Sequence, residues 1–328
     1  MSFFCPRCRG PLSEEPSELQ CQNCSSVYPM RFGFVDFRVQ TASDIDADQD
    51  LRLAEALAER ELHTNFDQLR TYYYSLHPRA SAELHDRHEA HFHGEAIRAA
   101  DTLKKLAGNG PVLELGCGAG QYVRAAVRNG HHATGIDASL CQLILARRLL
   151  ADEGLAAELV AAHMESLPFP SDVFSVTLAI DVVEHVDDPR SMLAEAARVL
   201  APGGCLWLTT PNRFSLTPEP HVGLWGVGWL PRSLATRYVQ ARTGIDYSSI
   251  RLLSLASLRR RLERPFPGGV TVQLPAFTSE EVQAFQVVKR LFAHAYVTLS
   301  KVRWLHGLLL TIGPYFQVTC TKAPVPGE

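Results

Sequence analysis

The sequence has no long apolar run, no marked excess of charge of one sign and no repeated or low-complexity segment. No stretch approaches the roughly 20 apolar residues that a membrane-spanning helix needs, so we expect no transmembrane segment. A net charge of −3 and a pI near 6.5 predict no general attraction to nucleic acid. The first residues combine neither a basic start nor a long apolar core, so a signal peptide is not expected.

Cysteine is sparse beyond the first part of the chain. Of the eight cysteines, four precede residue 25. The other four stand far apart in apolar segments and are expected to be reduced thiols: Cys117, Cys141, Cys205 and Cys320. Reduced cysteines are typical of a reducing compartment, so the sequence favours a cytoplasmic protein.

The four early cysteines form two pairs with metal-ligand spacing. Cys5-Pro-Arg-Cys8 and Cys21-Gln-Asn-Cys24 are separated by twelve residues, and two such turns can complete a tetrahedron of thiolates around Zn²⁺. Four sulfur ligands leave no open position for water, so the site is predicted to be structural; a pair of disulfides is the alternative. Residues 1–40 are therefore predicted to be a zinc ribbon, whose small core needs folding energy from the metal.

A glycine loop follows the first apolar strand of the main domain. Val112–Gly120 reads V-L-E-L-G-C-G-A-G, and Asp137 ends the next short apolar run, seventeen residues beyond Gly120. A glycine loop after a strand lets a ligand lie against bare backbone at a helix start. A carboxylate about 20 residues further on can accept both hydroxyls of a ribose. The pair therefore predicts a nucleoside ligand.

Two details favour S-adenosylmethionine (SAM) over a dinucleotide. The glycines fall at positions 116, 118 and 120, whereas the dinucleotide pattern places its third glycine one position later. The carboxylate of Glu114 directly precedes the loop, where it would repel a pyrophosphate and attract an ammonium group.

Strand and helix patterns alternate after residue 107, which predicts an α/β fold with a doubly wound, Rossmann-like and mostly parallel sheet. The last strand is expected to run antiparallel. The segment 41–106 is predicted to be a helical linker and lid. The domain at 107–328 is predicted to carry a substrate-side insertion at 214–250.

The main domain resembles the class I SAM-dependent methyltransferases, chiefly the ubiquinone-biosynthesis and secondary-metabolite types. The matching segments are E-L-G-C-G-A-G at 114–120, G-I-D at 135–137, L-P-F at 167–169, D-V-V-E-H-V at 181–186, R-V-L-A-P-G-G at 198–204 and T-P-N at 210–212. The first 37 residues resemble small zinc ribbons that accompany some methyltransferases, one group of which modifies guanine in ribosomal RNA.

The resemblance implies a set of cofactor-binding residues, which we adopt as predictions. Gly116, Cys117, Gly118 and Gly120 would line the methionine part of SAM, Glu114 its ammonium, Asp137 and Ala138 the ribose, His163 and Met164 the adenine, and Asp181 the ligand edge of the sheet. The family usually has an aspartate where this chain has His163. That substitution leaves the backbone at Met164 as the alternative adenine contact.

Two histidines are candidates for the catalytic base that takes a proton from the acceptor. His185 follows the fourth strand in E-H-V, and His221 lies in the loop P-E-P-H-V-G-L-W, rich in residues that can wall a pocket. A structural role is the alternative for His185, and an exposed loop position is the alternative for His221.

The sequence thus predicts a SAM-dependent methyltransferase that methylates a small-molecule acceptor, most simply at oxygen, in secondary or cofactor metabolism. The alternatives are an RNA-base methyltransferase that uses its ribbon to hold RNA, a SAM-fold enzyme that rearranges or cyclises its substrate, and a non-enzymatic platform. Nucleic acid is not the expected partner, because the ribbon balances its arginines with acids. The oligomeric state stays open.

Overall fold

We describe a computed structural model of the chain. The described residues are 2–38, 45–76, 82–105, 110–277, 282 and 287–324. Within these ranges, no helix is both long enough and apolar enough to cross a bilayer.

The amino-terminal segment forms a small antiparallel sheet of four strands in chain order. Its strands are β1 Leu12–Glu15, β2 Glu18–Cys21, β3 Val27–Arg31 and β4 Phe34–Val35. The two CxxC turns precede β1 and follow β2. We refer to residues 2–38 as the ribbon.

The second sheet has seven strands in the order β10-β11-β9-β8-β5-β6-β7. Five neighbouring strands of this sheet pair in parallel, in the order β9, β8, β5, β6 and β7. Strand β11 runs antiparallel to both β9 and β10. The strands are β5 Val112–Leu115, β6 Ala133–Asp137, β7 Glu158–Ala161, β8 Phe174–Ile180, β9 Leu200–Pro211, β10 Val270–Gln273 and β11 Tyr315–Thr321. The predicted fold class, with its antiparallel last strand, is confirmed.

Helices cover both faces of this sheet. They are α1 Ala47–Glu61, α2 Phe66–Ser75, α3 Ala82–Lys105, α4 Gln121–Arg128, α5 Leu140–Asp152, α6 Pro189–Val199, α7 Arg232–Thr243, α8 Leu255–Glu263, α9 Val287–Leu299 and α10 His306–Ile312. On one face α1 and α2 pack against α5, and α3 packs against α4. On the other face α6 packs against α8.

Alternate side chains of the buried strands enter two separate cores. On β5, Val112 belongs to the core beneath α4 and α5, whereas Leu113 and Leu115 belong to the core shared with α6 and α8. This alternation follows from the two-residue period of a strand. The second core also takes in Cys5, Tyr28 and other ribbon side chains, so the ribbon and the large sheet share one apolar interior.

The ribbon also covers the edge of the large sheet. Asp36 forms a parallel bridge with Ala161 at the end of β7, and the backbone N–H of Phe37 donates to the Ala161 carbonyl at 2.7 Å. An open sheet edge exposes unpaired backbone groups, and the ribbon satisfies part of this one. The carboxyl ends of the parallel strands, where ligands gather in such sheets, lie beside this junction.

Candidate cofactor and acceptor site

The turn after β5 has the conformation that a backbone cradle requires. Gly116, Gly118 and Gly120 have φ angles of 66°, 49° and 83°, a region that other residues rarely adopt. A Cβ atom added to Gly116 would lie 2.5 Å from Cγ1 of Val182. Both the dihedral angle and this close approach therefore call for glycine at position 116.

Asp137 stands at the carboxyl end of β6 and faces this turn. Its Oδ2 accepts a hydrogen bond from the N–H of Gly118 at 2.8 Å, and its Oδ1 accepts one from the N–H of Ser139 at 2.8 Å. These bonds fix the orientation of the carboxylate. A carboxylate in this orientation is the kind of group that accepts the two hydroxyls of a ribose.

Glu114 lies behind the turn rather than on its open side. The side chain is buried, and its Oε2 accepts a hydrogen bond from the N–H of Val123 in α4 at 2.8 Å. Burial raises the pKa of Glu114 well above its usual range. The bond to α4 fixes how that helix leaves the turn, and the predicted contact with the SAM ammonium stays a prediction.

A cavity of about 970 Å³ opens beside the cradle. Six of the predicted site residues line it: Gly116, Asp137, Ala138, His163, Met164 and His185. Glu114, Cys117, Gly118, Gly120, Asp181 and His221 are not among its lining residues. The volume is at the upper end of the range for small-molecule sites. The size of the cavity, the glycine turn and the oriented carboxylate of Asp137 together fit an adenosyl ligand.

Residues outside the predicted set also line the cavity. Helices α1 and α2 contribute Asp50 and Tyr73, and the ribbon contributes Pro6 and Arg7. Part of the segment 41–106 therefore lines the cavity, and its role as a lid stays a prediction. Nothing in the sequence indicated that the ribbon would also line the cavity.

Asp181 marks the carboxyl end of β8. Its backbone has a φ angle of 52°, which is unusual for a residue other than glycine. Two hydrogen bonds join Asp181 to Thr209 on β9. The Thr209 hydroxyl donates to Oδ1 of Asp181 at 2.8 Å, and the Asp181 N–H donates to the Thr209 carbonyl at 3.0 Å. Strained backbone held in this way is typical of functional turns.

The two candidate catalytic histidines lie against each other. The Nε2 atoms of His185 and His221 are 3.2 Å apart, which is hydrogen-bonding distance. On its other side, Nδ1 of His221 contacts Oε1 of Glu219, and Oε2 of Glu219 accepts a bond from the N–H of Val222 at 2.9 Å. The loop at 219–222 therefore holds one imidazole ring in a fixed orientation.

Glu184 places a buried carboxyl group beneath this pair. Its Oε2 accepts a hydrogen bond from the hydroxyl of Thr210 at 2.8 Å, while Oε1 lies 3.8 Å from Nε2 of His221 with no hydrogen-bond partner. Burial raises the pKa of Glu184. Burial lowers the pKa of His221, but the hydrogen bond and charge of Glu219, with the charge of Glu184, outweigh burial and raise it overall.

The cluster has two possible chemical uses. Ligand atoms of Glu184, His185 and His221 all lie within 4.8 Å of one another, close enough to hold one cation. The same atoms are equally placed to pass a proton, because a carboxylate-oriented imidazole is the usual arrangement of a general base. Sequence reasoning missed Glu219, although an acid two residues before His221 was a usable signal.

The four ribbon cysteines converge as predicted. All four Sγ atoms lie within 4.8 Å of one another, with Cys5 to Cys24 at 3.6 Å and Cys8 to Cys21 at 3.4 Å. Zinc–sulfur bonds of about 2.3 Å place tetrahedral ligands about 3.8 Å apart, so the cluster fits Zn²⁺.

Comparisons with known proteins agree with this geometry. A family model described as a methyltransferase domain matches residues 113–208. The chain is 29% identical to the ubiquinone biosynthesis O-methyltransferase of Parvibaculum lavamentivorans over 56% of this chain and 74% of that protein. It is 35% identical to the Maricaulis maris protein of the same description over 37% of this chain and 49% of that protein. The chain thus spans between about half and three quarters of these relatives.

A solved structure from Thermotoga maritima, described as a SAM-dependent methyltransferase and possible histamine N-methyltransferase, is also similar. It is 19% identical with a TM-score of 0.46, over 72% of this chain and 95% of that one. The family match over residues 113–208 and the curated relatives, taken with the cradle and the seven-stranded sheet, support a class I SAM-dependent methyltransferase domain in this chain.

Proposed function

We propose that the protein transfers a methyl group from SAM to an oxygen atom of a small-molecule acceptor, in secondary or cofactor metabolism. The observation that carries this proposal is the Glu219–His221–His185 series, whose last member lines the cavity beside the cofactor cradle. Oxygen is favoured because a hydroxyl must lose a proton as it is methylated, and the series is an oriented base. The relatives described as O-methyltransferases support the same choice.

The hydrogen bonds suggest which nitrogen takes the proton. Nδ1 of His221 faces a carboxylate, so in the neutral ring this nitrogen carries the proton and Nε2 accepts. His185 then donates from its own Nε2, and its Nδ1 bears the lone pair. We propose that His185 removes the acceptor proton at Nδ1 while His221 and Glu219 stabilise the resulting positive charge.

The protein must also align the methyl group of SAM with the acceptor oxygen. Bound SAM supplies a sulfonium methyl group that is already a good electrophile. Gly116 and Asp137 would hold the adenosyl and methionine parts against bare backbone, and the acceptor would approach from the side of His185. Fixing the two reactants in line and excluding water is the main contribution that a protein makes to such a displacement.

Two arginines of the ribbon are paired with acids of the same chain, which favours a small-molecule acceptor over RNA. Arg9 pairs with Glu195 on α6 at 2.6 Å, and Arg31 pairs with Asp36 at 3.2 Å. These arginines are engaged within the chain, whereas RNA binding depends on cations directed at phosphates. A salt-sensitive shift of the protein with total RNA would nevertheless favour that alternative.

The direct test supplies SAM labelled in its methyl group and a panel of phenols, catechols and aliphatic alcohols. We expect label to appear on a hydroxyl oxygen of at least one phenolic acceptor. His185→Ala should lower kcat about 10²- to 10³-fold, the usual effect of losing a general base, and change the affinity for S-adenosylhomocysteine (SAH) far less. His294→Ala, on an exposed face of α9, is the control. A product of unchanged mass would instead support a rearrangement, and dependence on added Mg²⁺ would support a cation in the cluster.

A further inference from the structure

The ribbon reaches the cofactor cavity at its first metal-binding turn. Pro6 and Arg7 lie between the ligands Cys5 and Cys8, and both line the cavity that also contains Asp137 and His163. Pro6 is buried, whereas the side chain of Arg7 is exposed at the rim. A zinc ion held by Cys5 and Cys8 would fix the conformation of these two residues, because their neighbours on both sides would be its ligands.

This metal-binding turn is fastened to the segment where adenine is expected. The hydroxyl of Ser166 donates to the carbonyl of Pro6 at 2.6 Å, and the N–H of Phe4 donates to the carbonyl of Pro168 at 2.9 Å. Ser166 follows His163 and Met164 by two or three residues, and all three line the cavity. The turn therefore supports the adenine-side wall from behind.

A second part of the ribbon reaches the ribose side. Nη1 of Arg38 donates to the carbonyl of Ala138 at 2.9 Å and contacts Oδ2 of Asp50 on α1 at 3.0 Å. Asp50 in turn accepts hydrogen bonds from the hydroxyl of Ser139 at 2.6 Å and from the N–H of Leu140 at 3.0 Å. The residues directly after Asp137 are thus held by the ribbon and the lid together.

We propose that the Cys5–Cys8 turn is a working wall of the cofactor site, that Arg7 contributes to binding the adenine of SAM, and that zinc occupancy of the four cysteines sets the affinity for the cofactor. The inference rests on the proposed function only in taking SAM as the ligand. An arginine guanidinium stacks readily on flat aromatic rings, and adenine is one. Arg7 would therefore supply side-chain recognition on the wall where the family's usual aspartate is replaced by His163.

The first experiment separates Arg7 from the rest of the ribbon by calorimetry with SAH. Arg7→Ala should weaken binding about five- to tenfold, because one stacking or hydrogen-bonding contact is lost. The matched control is Arg9→Ala. Arg9 directly follows the same turn and pairs with Glu195, but it does not line the cavity. We expect the control to bind SAH within twofold of the parent protein. Equal affinities for Arg7→Ala and the parent would overturn the role of Arg7.

The second experiment varies the metal. Cys8→Ser removes the exposed ligand, and Cys205→Ser is the control outside the cluster. Zinc content is measured by elemental analysis, folding by circular dichroism and affinity by SAH titration. We expect Cys8→Ser to lose zinc and to bind SAH at least tenfold more weakly. A folded, zinc-free protein with full SAH affinity would overturn the proposal.

A reciprocal measurement covers the case in which Cys8→Ser fails to fold. If zinc strengthens SAH binding, SAH must strengthen zinc binding by the same factor, because coupling between two sites is mutual. Saturating SAH should therefore shift the competition between the wild-type protein and a chelator toward zinc-bound protein. An unchanged competition curve would contradict the coupling. Failure of the wild-type protein to bind SAH at all would instead remove the proposed function itself.

Discussion

The proposed cradle for the cofactor and the proposed acceptor-side cluster are built in different ways. The cradle after β5 uses backbone and one carboxylate from a single contiguous stretch, from Val112 to Ser139, and its shape follows from glycine dihedral angles. The cluster consists of the side chains of Glu184, His185, Glu219 and His221, which are brought together from separate segments. The first construction suits a constant ligand, whereas the second can change with the loop that carries it.

Loss of Asp137 should have the largest effect on the cofactor side. Asp137→Ala removes the proposed ribose acceptor and also the bonds that orient Gly118 and Ser139. Two or more hydrogen bonds to a charged group, at about 1.5 to 3 kcal/mol each, predict a loss of SAH affinity of about 100-fold or more. Asp67→Ala, at a position whose side chain is 81% exposed, is the control. SAH binding by Asp137→Ala at wild-type strength, measured by calorimetry, would refute the cofactor assignment.

Two glycine substitutions test whether the turn after β5 shapes the cofactor site or only relieves backbone strain. Gly116→Ala forces both a φ angle of 66° and a contact with Val182, whereas Gly130→Ala forces a φ angle of 82° in open space. Gly130→Ala should lose about 1 to 2 kcal/mol of stability, the ordinary cost of a side chain in this region. Gly116→Ala should lose about 1 to 3 kcal/mol more, because Val182 must also shift. Only Gly116→Ala should weaken SAH binding, by about tenfold, because its methyl group alters the cavity wall.

Thermal unfolding and SAH titration of the two glycine variants give the comparison directly. We expect both variants to lose stability, Gly116→Ala more than Gly130→Ala, and only Gly116→Ala to lose affinity for SAH. If both variants bind SAH equally well, the turn after β5 is a folding feature and the cradle lies elsewhere.

The contrast also explains how much the sequence could reveal. The glycine turn, Asp137 and the sheet were readable because each depends on neighbours along the chain, and the strand ends of a parallel sheet then bring them together. The Cys5–Cys8 turn has metal-ligand spacing in the sequence, but its place in the cavity wall could not be predicted. Its contact with Ser166 spans 160 residues, and no local pattern encodes where a ribbon docks.

Glu114 is a residue whose position the sequence predicts but whose side-chain orientation it does not. The sequence correctly places it before the turn, and its charge suggests a partner ammonium. The structure shows a buried side chain bonded to the N–H of Val123. Burial favours the neutral acid, as the raised pKa of Glu114 indicates. Whether a carboxylate faces the ligand or the helix behind it depends on a rotamer, which composition and spacing do not determine.

The smallest expected effect concerns the acceptor side and its dependence on pH. Glu219→Gln keeps an oxygen for Nδ1 of His221 but removes the negative charge that raises the pKa of that histidine. In this mechanism His221 must be neutral, because a proton on its Nε2 would leave no acceptor for the N–H of His185. Wild-type kcat/KM should therefore fall as pH decreases through the raised pKa of His221, which lies above 6.5, the usual value for histidine. Without the charge, burial lowers the pKa, and the acidic limb should move to lower pH. The plateau activity should drop about tenfold because the imidazolium is less stabilised.

This pH profile distinguishes a base from a merely structural loop. Glu14→Gln, on an exposed face of β1, should leave the profile where it is. A Glu219→Gln protein with lower activity but an unmoved acidic limb would show that Glu219 only stabilises the 219–222 loop. A limb that moves while SAH affinity stays constant would tie the chemistry to the His185–His221 pair, and would place it on the side of the cavity that the constant cofactor does not occupy.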